Sequence, residues 1–197
     1  MTEASGPRIA PLPPDQWSDE VMQAIALLRP PDAKHQLPRR KGGPKGLNVL
    51  GTLANHPALM HAYHAFNGHI LSSSTLTPRD RELLILRVAA LRDAEYEWEQ
   101  HVVIASGAGI ADEEIERVRA GADAPGWSEH DAVMLLAVDE LVADALVSDV
   151  TWGKLAEAFD TQQLMDLVFT VGAYDLLAMA FRSFGIELDA DLTPPAS

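Results

Sequence analysis

The chain contains no cysteine. Disulfides, thiolate metal sites and any thiol redox cycle run by its own side chains are thereby excluded. Basic residues are also scarce, 15 Lys and Arg against 29 Asp and Glu, for a formal charge of −14. Nucleic-acid binders need basic surface to meet phosphates, so no nucleic-acid partner is expected. The start, Met1-Thr2-Glu3-Ala4-Ser5-Gly6-Pro7, has neither the basic residues nor the apolar run of a signal peptide. No stretch is read as the ~20 apolar residues that would cross a bilayer, so the expectation is a cytoplasmic protein with no membrane partner. Alternation of period two, the mark of strands, is missing over any useful length, while helix signals recur along the whole chain. The predicted fold class is all-α.

What is present suits a globular protein: 197 residues, 47% hydrophobic and 22% charged, enough to bury a substantial core. The organising stretch runs from Arg79 to His101. Thr77-Pro78 supplies an N-cap and a proline at the first helical position, and Asp80 places a carboxylate in the first turn. From Leu83 to Leu91 only Arg87 interrupts the apolar residues, which predicts a helix buried on nearly all sides. A second helix follows, with Ala94, Glu97, Trp98, His101 and Ala105 on one face. Glu97 and His101 are then one turn apart, about 6 Å along the axis. Carboxylates and a histidine on an inward face need partners, and such groups mark either chemistry or a helix-anchoring ion pair. Both readings stay open on spacing alone.

This stretch resembles the carboxymuconolactone decarboxylase family, which includes the alkylhydroperoxidase D-like proteins. Peroxidase members carry a Glu, a Cys-x-x-Cys pair and a His four residues after the second Cys. Glu82 and His101 match the ends of that motif at its spacing of nineteen, and the cysteine positions fall on Ala94 and Glu97. Arg-Glu-Leu at 81–83, Glu-Tyr-Glu-Trp at 95–98 and Asn67-Gly68-His69 look like the cysteine-free branch. The resemblance extends over residues 47–185 and implies a helical domain of the alkylhydroperoxidase D-like type. Residues 1–46 would then form an arm, a short helix and a basic loop, and 186–197 a tail. It also implies a homo-oligomer, trimer or hexamer, with no cofactor.

The flanking segments are read more simply. Residues 15–28 predict a short amphipathic helix, and the loop 32–46 collects Lys34, Arg39, Arg40, Lys41 and Lys45, as a solvated loop or as a lid offering positive potential to an anion. His61 and His64 stand three apart, but no Asp or Glu lies within 52–76 to complete a site, and no metal is expected. His130 is read as ordinary surface. A last helix to about Phe184 carries Leu164, Leu167, Val168, Val171, Gly172, Leu176, Met179 and Ala180 as core or subunit interface.

By resemblance, the implied reaction is decarboxylation of a small carboxylated lactone such as 4-carboxymuconolactone, or a related proton transfer. The electrons left by CO2 must be held on a conjugated carbonyl and a proton delivered to carbon. His101 is the candidate acid, because imidazole titrates near neutrality. Glu82 or Glu97 would orient it. Tyr96, Arg81 and His69 are candidate substrate-binding residues, although Tyr96 points off the Glu97–His101 face of a regular helix. The alternative is a non-catalytic ligand-binding or scaffold protein that keeps the helical core. In either case no dithiol-dependent peroxide reduction is expected of the purified protein, and a coupled peroxidase assay with metal-free protein checks this; turnover above buffer would contradict it.

Overall fold

A computed structural model describes residues 6–35 and 45–192, and among these every regular element is helical. The chain divides into two compact units, Ser74–Ala178 and a second made of Met1–Ser73 with Met179–Ser197. The segment before the central stretch makes its own small core.

In the unit that holds the N-terminus, Pro14–Gln16 forms a single 3-10 turn and Ser18 caps α1 (Asp19–Ala26), its side chain accepting from the Val21 amide. Two further helices follow, α2 (Leu47–Leu53) and α3 (Pro57–Gly68), the latter ending in a π-helical turn, His69–Ser73. The cap of α3 is the His56 side chain, with Pro57 at the first helical position. Val21, Ala24, Ala54 and Met60 form the core, covered by Leu12, Trp17, Ile25, Leu50 and Leu53. Two glycines set its tightness: a Cβ on Gly51 or on Gly68 would run into the backbone of Leu12 or of Leu27. The N-terminus of α2 has no cap from its own sequence, since Gly46 precedes it. Asp189 of the C-terminal tail serves instead, accepting from the Asn48 amide at 2.8 Å, while the Asn48 side chain donates to the Glu187 and Leu188 carbonyls.

The unit Ser74–Ala178 is built on the hairpin of α4 (Pro78–Leu91) and α5 (Glu95–Gly107). Thr77 caps α4 as expected, and Leu83, Leu84, Ile85, Leu86 and Val88 are fully buried. The one charge in that run, Arg87, is satisfied: it donates to Asp139 at 2.6 Å and to the carbonyls of Val118 and Arg119. Those carbonyls close α6 (Asp112–Ala120), so the guanidinium serves as a C-terminal cap. The following helices, α7 (Glu129–Asp144) and α8 (Asp149–Ala158), are opened by Ser128 and Ser148, each accepting from an amide three residues on.

The last helix, α9 (Thr161–Phe184), begins in this unit with a reciprocal box in which Asp160 and Gln163 each accept the other's amide. Buried Asp166 takes three donors from the turn before α4, the Thr75 amide and hydroxyl and the Ser74 hydroxyl. By length and mean hydropathy α9 could cross a bilayer, which the sequence reading above did not anticipate, but 56% of its most apolar window is buried inside the fold. It behaves as a core helix. Leu164, Leu167, Val171, Tyr174 and Ala178 face inward, whereas Gly172, Leu176 and Met179, read as part of the same apolar face, are exposed. Removing a fully buried side chain from the central helix should be felt throughout: Leu84→Ala is expected to lower stability by about 2–5 kcal/mol, measured by urea denaturation.

Candidate active site

Glu82 lies in the second turn of α4, fully buried, and α5 turns back so that His101 reaches it. His101 Nδ1 is 2.6 Å from Glu82 Oε2. The other oxygen, Oε1, receives the Arg81 guanidinium at 3.1 Å from Nε and 3.0 Å from Nη2. Burial by itself would raise the Glu82 pKa. The charges and hydrogen bonds of His101 and Arg81 outweigh burial, so the carboxyl titrates below its ordinary value. An ionised carboxylate only accepts, so the His101 proton on this side sits on Nδ1 and Nε2 is the nitrogen left to exchange a proton.

Glu97, one turn before His101 on α5, does not join this chain. It is buried, and among the described residues neither of its side-chain oxygens has a hydrogen-bond partner. Burial, and secondarily the negative charge of Asp175, push its pKa well above the usual glutamate range. Asp175 is itself held by Arg92, whose Nε donates at 2.5 Å and Nη2 at 3.2 Å. One residue earlier on α9, the Tyr174 ring meets His101 edge-on, with centroids 4.9 Å apart. Thr170, one turn before Tyr174, is fully buried and its hydroxyl has no partner.

The candidate residues thus separate. Glu82, Arg81 and His101 come together, with Arg81 directed at Glu82. Glu97 shares the buried face of α5 with His101. Tyr96 is buried on α5, its hydroxyl accepting from Gln100 at 3.2 Å. His69 belongs to the other unit and is exposed. Of the basic loop, Lys34 and Lys45 are exposed, and Arg39, Arg40 and Lys41 lie outside the described residues. His64 is a core residue: its Nδ1 donates to the Ala24 carbonyl at 3.1 Å, and burial lowers its pKa.

Sequence reasoning missed Tyr174, Asp175 and Thr170, which sit on a helix read only as an apolar face. It also misplaced His130. That imidazole is partly buried, 3.2 Å from Asp80 and 5.0 Å from the Phe159 ring centre, because α7 packs on the start of α4. Among the described residues Asp80, His130 and Asp131 bring three ligand-type atoms within 4.8 Å of one another. The charge there is met by Arg79, which donates to Asp131 at 2.7 and 3.3 Å and to Glu114 at 2.5 Å.

An all-helical chain with a buried acid–imidazole pair on a helical hairpin has the alkylhydroperoxidase D-type fold. An uncharacterized peroxidase-related protein from Silicibacter sp. TM1040 superimposes with a TM-score of 0.74 at 18% identity, over 98% of this chain and 97% of that one. An uncharacterized peroxidase-related protein from Ralstonia eutropha JMP134, with an alkylhydroperoxidase AhpD core, gives 0.65 at 18% identity over 83% and 95%. A cysteine-to-alanine variant of the debrominase Bmp8, in complex with 2,3,4-tribromopyrrole, gives 0.67 at 12% identity over 93% and 92%. No curated protein matches the sequence. Residues 57–140 match the model of the carboxymuconolactone decarboxylase family.

The depressed Glu82 pKa has a pH signature. Its contribution to stability is fully present above the ordinary glutamate value of about 4.3 and is lost as pH falls through the lower folded value. Glu82→Gln should therefore be less stable than wild type near pH 7, by roughly 3 kcal/mol for breaking one side of a buried pair. The difference should shrink toward zero in acid, where both side chains are neutral. Urea midpoints from pH 3 to 7 check this.

Proposed function

We propose that the protein is a cofactor-independent carboxy-lyase or closely related proton-transfer enzyme acting on a small carboxylated lactone or enolisable acid. The observation that carries this reading is the Arg81–Glu82–His101 chain, which fixes an imidazole by its Nδ1 and leaves Nε2 for the substrate. In the decarboxylation, the bond between the substrate's carboxylate carbon and its neighbour breaks, CO2 leaves, and the electron pair passes to the conjugated carbonyl as an enolate. Protonated His101 then delivers its Nε2 proton to that carbon and regains a proton from solvent. Glu82 holds the imidazolium during the cycle and is not consumed. The family match over residues 57–140 supports the class, and the lack of cysteine removes thiol chemistry of the kind suggested by the peroxidase-related neighbours' names.

The reading includes self-association. Met165, Phe169 and Leu176 are each more than half exposed on one stripe of α9, and nothing stands within 4 Å of a Cβ placed on Gly172 between them. A second copy of the chain is the proposed cover, as trimer or hexamer.

His101→Ala should lower kcat by ~10²–10⁴, the value of a positioned proton donor. The assay follows CO2 release and solvent deuterium incorporation across carboxylated lactones and β-keto acids. Activity that survives His101→Ala undiminished would overturn the assignment of roles.

A further inference from the structure

We propose that Glu97 is the substrate's hydrogen-bond donor: its unpartnered carboxyl, one turn from His101 on the buried face of α5, binds the carbonyl oxygen that becomes an enolate. The proposal rests on the proton-transfer reading of the same site and adds the residue that holds the substrate's enolate oxygen.

Three observations carry it. First, Glu97 is buried, yet among the described residues neither of its oxygens is met, while Glu82, the partner of His101, has both of its oxygens met. Orienting the imidazole is therefore done by Glu82 alone, and Glu97 is left with a hydrogen-bonding capacity that only a guest can use. Removing such a group from water without a partner is unfavourable, so its retention points to a ligand. Second, among the described residues no cation pairs with Glu97, and the charge that acts on it is the carboxylate of Asp175. That surrounding favours the protonated carboxyl of Glu97, which has one O–H to donate. A neutral carbonyl fits, accepting the single O–H. Third, the two functions stand one helical turn apart, His101 Nε2 for the reacting carbon and Glu97 for the oxygen conjugated to it. As charge moves onto that oxygen, the Glu97 bond becomes charge-assisted and strengthens, which is the condition for lowering a barrier. No proton leaves Glu97 in this scheme; the proton that reaches carbon comes from His101.

The test uses 4-nitrophenol as an enolate mimic, because its ionised form is coloured and binding can be read directly. Wild type, Glu97→Gln and Glu97→Leu are titrated at neutral pH, and thermal melting is recorded for each. Glu97→Gln keeps an N–H donor and should bind within about threefold of wild type, whereas Glu97→Leu should bind roughly 10–100-fold more weakly. Glu97→Leu should melt no lower than wild type, since it removes an unmet polar group from the interior. The infrared carbonyl band of an un-ionised carboxylic acid should be present in wild type at neutral pH and absent from Glu97→Gln. Equal binding by Glu97→Leu, no binding by wild type, or an ionised Glu97 in the infrared spectrum would each overturn the proposal. Decarboxylation that survives Glu97→Leu would remove this inference and leave the enzyme class standing. Glu97-dependent phenolate binding without any turnover would do the reverse.

Discussion

The contact on which the rest depends is the bond between a fully buried glutamate and an imidazole nineteen residues further on. A carboxylate in that position is tolerable only because Arg81 and His101 meet its two oxygens, and His101 can do so only if α4 and α5 fold back on one another in a single register. The apolar run between them supplies the burial, and burial gives the ion pair its strength. Helix packing and chemistry are thus one constraint: a slip of α5 by one residue would take His101 away and leave one oxygen of a buried carboxylate unmet.

Two glutamates on this hairpin, similar in sequence context, end in opposite electrostatic surroundings. Glu82 faces a guanidinium and an imidazole and titrates low. Glu97 is buried, feels the charge of another acid, Asp175, and titrates high. A pair of carboxyls driven apart in this way can supply an ionised holder and an un-ionised donor to the same small volume, with no metal or cofactor needed for the division.

Much of this was legible before the fold was known. Thr77, Ser128 and Ser148 announce helix starts through chemistry that acts within four residues, and the face Ala94, Glu97, Trp98, His101, Ala105 is buried as its period requires. What stayed hidden is nonlocal. Nothing near Tyr174 or Asp175 in the chain indicates that they meet the His101 helix, and the choice of Glu82 over Glu97 as the imidazole's partner depends on how two helices roll against each other. His130 failed for the same reason: its helix position reads as exposed, and only the packing of α7 on α4 brings it to Asp80. The N-terminal unit likewise declares its helices in sequence but not its own small core.

The capping of α2 by Asp189 joins residues 141 positions apart. It means that the segment just after α9 is a structural component and not a spare handle. Constructive use follows for anyone who modifies this chain: an affinity tag or fusion partner belongs after the last described residues, whereas shortening the chain to the end of α9 would strip the first turn of α2 of its acceptor and loosen a helix encoded near the opposite terminus.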